Sequence, residues 1–212
     1  MYIPIGHNCL VSGNLEILNI RNKAFPFDWV LISVENLFSY LNDFINSKFN
    51  KFTKNLKYNH RNIVISENYP ECEFLHHDLI NNITKRNRII TKTDNLIETV
   101  NRRCNRFMEI IEDKNNEVNF ICNLTYNSFK KDESIIFEDM KIFINNNNIK
   151  CKFHLIVILS FWEEFDMIVD EKFKQFKNVS FEKLDIDRSA KGKASMYGDP
   201  NMFLNILNKY KK

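Results

Sequence analysis

Cysteine, histidine and aspartate are the side chains in this chain whose types and spacing can support covalent chemistry, and the densest group opens it, in Ile5-Gly6-His7-Asn8-Cys9-Leu10. If Tyr2–Gly6 is a central strand, Cys9 falls at its carboxyl end and at the start of the next helix, where Asn8 or Cys9 serves as N-cap. Open α/β sheets place their sites at that edge. The unsatisfied N–H groups and dipole of a helix start favour a thiolate. They can bring a cysteine from about 8.5 into the range of roughly 3.5–7.5. The same N–H groups can hold a developing oxyanion. The bland alternative is that Cys9 is a small buried packing residue.

His76, His77 and Asp78 supply candidate bases. On a strand, adjacent side chains face opposite ways, so only one of the two histidines meets a given site, and Asp78 does not readily orient His77. His7 is a second option, pairing with Cys9 across the strand-to-helix turn. His60 has no evident placement. His154 heads an apolar strand and reads as a satisfied core histidine. Arg102, Arg103 and Arg106 ride a long helix. Arg102 and Arg106 are expected to project away from its apolar stripe, on a solvated face. Arg103 flanks the stripe and can clamp an anionic substrate group with its fork of donors. Phe25-Pro26-Phe27-Asp28-Trp29 is too aromatic for an ordinary loop and is expected to bury its rings. Asp28 can then orient a histidine or cap the helix that follows Ser33. Asp199, before Pro200, reads as an N-cap.

The elements that must position these groups follow from periodicity. Tyr2–Gly6 reads as a strand and Leu10–Ile20 as a helix. Ser33 precedes a helical pattern through Val34, Leu37, Phe38, Leu41, Phe44 and Ile45. Ile63-Val64-Ile65 is a buried strand, and Phe74–Asp78 a second short one. Thr93 caps a long helix carrying Leu96, Val100, Cys104, Phe107 and Ile111. Strands over Val118–Leu124, Lys152–Leu159 and Val179–Leu184 alternate with helices from Ser134 to Ile144 and after Asp199. This alternation predicts an α/β fold, a single three-layer domain over residues 1–212 with a mainly parallel sheet flanked by helices. The stretch 46–92 is less regular and insertion-like.

Composition narrows the function classes. Lys+Arg of 30 against Asp+Glu of 27 leaves a net charge of only +3, which argues against dedicated nucleic-acid binding. With 4 glycines, no Gly-rich phosphate loop is present. Five widely spaced cysteines without a CxxC pair argue against structural zinc and a disulfide framework, and fit a reducing, cytoplasmic setting. No secretory leader and no 18-residue apolar run is evident, so no membrane partner is expected. No cofactor and no metal is called for.

These residues resemble a family. Gly6-x-Asn8-Cys9, then Leu15, then Pro26-Phe27-Asp28-Trp29 is similar to the N-terminal signature of the putative papain-like cysteine peptidase family, found in bacteria and large DNA viruses. Phe74 to Asp78 resembles its F-x-H-D element, with His77 and Asp78 on the matching positions. Arg102-Arg103 and Arg106-Phe107 resemble its R-R-x-x-R-F helix, Phe120-Ile121 the strand after it, and Gly198-Asp199 a late G-D.

The resemblance implies a cysteine-dependent hydrolase, a peptidase or related acyl hydrolase or transferase, acting on a peptide or small molecule in the cytoplasm (the host's, if the chain is viral). Cys9 is the nucleophile, His77 the base and acid, and Asp28 or Asp199 the orienting group. Asn8, Trp29, Asp78, Arg103 and Asp199 line the substrate. In papain-like enzymes a third polar residue follows the histidine on a separate strand, and here Asp78, Asp28 and Asp199 are the candidates. Two rivals are a sugar- or nucleotide-handling α/β enzyme in which Cys9 is incidental, and a non-catalytic viral interaction protein using the 46–92 stretch.

Overall fold

The computed structural model describes residues 1–28, 30–74, 94–161, 166–186 and 198–211. Along the chain run β1 (Tyr2–Pro4), α1 (Leu10–Ile17), β2 (Val30–Ile32), α2 (Leu37–Asn46), β3 (Leu56–Tyr58), β4 (Val64–Ser66) and β5 (Tyr69–Phe74). There follow α3 (Asp94–Glu112), β6 (Glu117–Thr125), α4 (Tyr126–Lys131), α5 (Glu133–Ile144), β7 (Lys152–Phe161), β8 (Val179–Asp185) and α6 (Pro200–Asn208).

Four strands form a parallel sheet in the order β1-β6-β7-β8. Its inner strands are apolar on both faces, as a parallel sheet covered by helices demands. Leu155, Val157 and Leu159 of β7 face the larger core with α2, α3 and α5. Ile156 and Ile158, between them, face a smaller core with Leu10, Val11 and Leu15 of α1 and Phe203, Ile206 and Leu207 of α6. The α/β architecture expected from strand–helix alternation is therefore present, with helices on both faces. One element differs: β1 is not central but lies at the sheet's edge. Only three of its residues pair, so the chain leaves the ladder early.

The irregular stretch carries more order than its Lys- and Asn-rich sequence suggested. A second sheet, antiparallel and ordered β2-β5-β4-β3, occupies it together with the segment after Asp28. Three of its four strands are three residues long, too short to show a period of two. An aromatic wall backs it. Phe27 lies 5.5–6.3 Å, centroid to centroid, from Phe44, Phe49, Phe52 and Phe107. The Pro26-Phe27 turn is thereby bolted to α2 and α3, each fully buried phenylalanine contributing about 1.5–3 kcal/mol.

The N-cap at Asp199 is present, its carboxylate accepting from the Asn201 N–H at 2.8 Å ahead of Pro200 at the first helical position. No helix among the described residues is long and apolar enough to cross a membrane.

Candidate active site at the carboxyl edge of the parallel sheet

The β1–α1 turn is where chemistry-bearing residues gather. Pro4 pairs with Ile121 and the Ile5 N–H reaches the Ile121 carbonyl at 2.9 Å; beyond that the chain turns out of the sheet. Gly6 (φ +100°) and His7 (φ +63°) make the turn in left-handed backbone. Gly6 is required twice over. L side chains rarely adopt its φ, and a Cβ there would stand 3.1 Å from Leu37 Cδ1 and 3.2 Å from Ile32 Cδ1.

Cys9 is the N-cap of α1 and is half-buried. Its carbonyl accepts the first helical bond, from the Gly13 N–H at 2.8 Å. The Asn8 side-chain oxygen accepts from the Leu10 N–H at 3.0 Å, so Asn8 caps one donor of the helix start. Cys9 thus lies at the start of α1 at the carboxyl edge of the parallel sheet, with no hydrogen bond from its side chain capping the helix.

His7 is buried, and its Nδ1 lies 2.8 Å from the Ile32 carbonyl. A carbonyl only accepts, so Nδ1 carries the hydrogen. The His7 carbonyl in turn accepts from the Ile32 N–H at 2.9 Å. Burial pushes its imidazole below the ordinary range, opposed by the Ile32 bond and by Glu35. Pairing with Cys9 therefore leaves His7 only its Nε2.

Asp28 is buried and fully engaged below the turn. Its Oδ1 accepts from Ser12 Oγ at 3.0 Å; its Oδ2 accepts from Arg21 at 2.7 Å and from the Phe25 N–H at 2.8 Å. Ser12 lies on α1 three residues after Cys9, on the same helix face. Asp28 therefore ties the aromatic turn to the first turn of the helix that Cys9 caps, and its described donors include no histidine.

The arginines of α3 divide differently from the helical-wheel expectation. Arg102 is exposed as expected and Arg103 is half-buried on the flank. Arg106, expected on a solvated face, instead donates to the Ala24 carbonyl at 2.7 Å. A long side chain can curl back from the polar side of a helix to meet an acceptor, which a wheel projection does not register. The Arg103 guanidinium is lowered by burial, opposed by the nearby Asp28 charge and assisted by Arg21, Arg102 and Arg106.

The remaining candidates fall in several places. Trp29, His76, His77 and Asp78 lie outside the described residues. Asp199 is an exposed helix cap. His60 is exposed. His154 is half-buried at the opposite, amino edge rather than in the core, its Nε2 2.8 Å from Ser180 Oγ. It lines a cavity of about 590 Å³ there, with Tyr2, Asn119 and Tyr210. No cluster of histidine, cysteine and carboxylate suited to a metal occurs among the described residues.

The sequence reading missed Ser12, Arg21 and Asn123. Ser12 and Arg21 carry no motif of their own; only the fold brings them to Asp28. Asn123 sits on β6 two residues past Ile121, hence on the α1 face and level with the Gly6–His7 turn. It is buried, and neither its Oδ1 nor its Nδ2 has a hydrogen-bond partner among the described residues. A polar residue inside an otherwise apolar strand was the available signal.

A family model described as a putative papain-like cysteine peptidase matches residues 1–162. The match runs from β1 through β7 and covers the Cys9 turn, the Asp28 network and the α3 arginines; Gly198 and Asp199 lie beyond it. No curated protein and no solved structure matches the chain.

Proposed function

Because the chain belongs to the putative papain-like cysteine peptidase family, we propose that it is a cysteine-dependent acyl hydrolase with Cys9 as nucleophile. The observation that carries this reading is the half-exposed Cys9 capping α1 at the carboxyl edge of the parallel sheet. His77 takes the thiol proton. The thiolate attacks the substrate carbonyl carbon, and first-turn N–H groups of α1 hold the oxyanion. Collapse forms the thioester while the imidazolium protonates the leaving group. Water, deprotonated by the same imidazole, then cleaves the thioester and restores the thiol.

Asp28 acts in this scheme as a positioning residue. Through Ser12 it fixes the helix turn that presents the thiol. Asp199 remains the candidate for orienting His77, and Asn8, Trp29, Asp78 and Arg103 for lining the substrate.

The test is the pH dependence of iodoacetamide labelling at Cys9 in the unmodified chain and in His77→Ala. An activated thiolate labels well below pH 8 and loses that advantage in the variant. Labelling that follows an ordinary thiol in both proteins overturns the proposal.

A further inference from the structure

A polar row crosses the parallel sheet at its amino edge, opposite the edge that holds Cys9. Tyr2, Asn119 and His154 stand in register on β1, β6 and β7. Two residues further along β6 and β7, Ile121 and Ile156 share that face with Leu207 of α6. The row therefore lies under the end of α6, and each of its members touches that end. The Tyr2 hydroxyl donates to the Leu207 carbonyl at 2.9 Å, and Asn119 Nδ2 donates to the Tyr210 carbonyl at 3.3 Å. The His154 ring lies 5.2 Å from the Tyr210 ring, centroid to centroid. His154 Nε2 is 2.8 Å from Ser180 Oγ on β8, and the Tyr210 hydroxyl donates to Glu182 at 2.6 Å. Each of the three rings is thus fixed by a hydrogen bond.

The cavity of about 590 Å³ beside this row falls within the range of roughly 300–1,000 Å³ that small-molecule sites occupy. Phe153 adds a further ring to its wall. Its rim is charged, with Lys152, Lys209 and Lys211 against one lining carboxylate, Glu117. Lys209 is held at 2.6 Å by Glu182, and Lys152 stands 3.8 Å from Glu117. With both carboxylates counted, the lysines still leave one cation in excess. The end of α6 opposes an anion with only about half an elementary charge. The Leu207 and Tyr210 carbonyls there already accept from Tyr2 and Asn119. Fixed aromatic walls below a rim of ammonium groups suit a planar ring that carries a negative group.

We infer that this cavity is a binding site for a small planar aromatic anion. The ring packs against Tyr210 and Phe153, and a carboxylate or phosphoryl group lies between Lys152 and Lys211. A nucleoside monophosphate and an aromatic carboxylic acid both present this chemistry. The site is separate from Cys9, since the length of β6, about 26 Å, divides the two edges. It does not rest on the reading of Cys9 as nucleophile.

The experiment is thermal unfolding of the full chain at low, constant ionic strength, titrated separately with adenosine monophosphate and with indoleacetate. Adenosine, inorganic phosphate and acetate supply the ring or the charge alone. A ligand that binds only the folded state raises stability with the logarithm of its concentration above Kd. The expected result is saturable stabilisation by at least one of the two aromatic anions, with an apparent affinity about tenfold or more above the controls. The nucleotide alone assigns a phosphoryl ligand, indoleacetate alone a carboxylate. The affinity falls about tenfold or more when Lys152→Gln and Lys211→Gln are combined, and likewise in Tyr210→Leu. It persists in Lys174→Gln, an exposed lysine outside the cavity, and in Cys9→Ala. No saturable stabilisation, phosphate acting as well as either aromatic anion, or equal loss in Lys174→Gln overturns the inference. Loss in Cys9→Ala also overturns it, because the ligand then sits at the other edge. Should Tyr210→Leu not fold, the contrast between the paired lysine variant and Lys174→Gln decides alone.

Discussion

One side chain, cysteine, occurs in two kinds of surroundings. At the carboxyl-edge turn, Cys9 is half-exposed and caps a helix. In the interior, Cys72 on β5, Cys104 on α3, Cys122 on β6 and Cys151 just before β7 are buried. Burial pushes all four thiols up, Cys151 to about 11 and the other three further. Desolvation outweighs what the neighbours offer a thiolate there, the Arg103 charge beside Cys104 included, so those four behave as small hydrophobic residues. The difference teaches that sequence position relative to a strand end, not residue type, separates a candidate nucleophile from packing.

The largest effect expected from this contrast is selectivity toward an alkylating agent. At neutral pH an unperturbed thiol near 8.5 holds on the order of several hundredfold more thiolate than one near 11. Brief iodoacetamide treatment of the folded chain, read by intact mass and peptide mapping, should give one adduct, on Cys9. Cys151 should follow at least about a hundredfold more slowly. Two adducts forming at matching rates would remove the distinction between the regions.

A substitution beneath the turn sharpens the same contrast. Asp28→Ala deprives Ser12, Arg21 and the Phe25 N–H of their acceptor at a site sealed from solvent. Breaking a buried, hydrogen-bonded pair on one side costs about 3–5 kcal/mol. Asp199→Ala removes only an exposed cap, worth about 1 kcal/mol. Denaturant midpoints measure both. With less stability, the interior cysteines should become reactive through global opening, while the initial rate at Cys9 changes far less. Equal costs for the two aspartates would show that the Asp28 network does not hold the turn.

The fold was legible wherever one element carried its own pattern. The helices Leu37–Asn46, Glu133–Ile144 and Pro200–Asn208 follow from apolar spacing and caps, and the buried run Lys152–Phe161 from continuous β-branched and apolar residues. What the chain hides is pairing. Val30–Ile32 and Leu56–Tyr58 are strands because β5 and β4 lie beside them, and three residues cannot advertise that locally. The site divides the same way. Cys9 could be placed because a strand end, a turn glycine and a helix start are consecutive in sequence. The partners of Asp28 could not, since Ser12 and Arg21 reach it only after α1 and the aromatic turn have packed. Arg106 was misplaced for the same reason: its acceptor is a backbone carbonyl 82 residues away.

The smallest effect expected is also the one whose sign is most informative. His7 sits in the turn itself, buried, with Nδ1–H on the Ile32 carbonyl and an imidazole held below the ordinary range by burial. The unfolded chain, with an ordinary histidine near 6.5, therefore binds a proton that the folded chain refuses. Stability from this group is fully present above about pH 6.5 and declines as pH falls through the lowered folded value. His7→Asn removes the titration, tolerates φ +63° and keeps a donor for Ile32. The stability gap between the unmodified chain and this variant, read from denaturant midpoints, should thus narrow as pH drops from 8 to 5. If instead His7 held a proton in an ion pair with the Cys9 thiolate, its folded value would be raised. The gap would then widen over the same interval, and the turn would contain its own base.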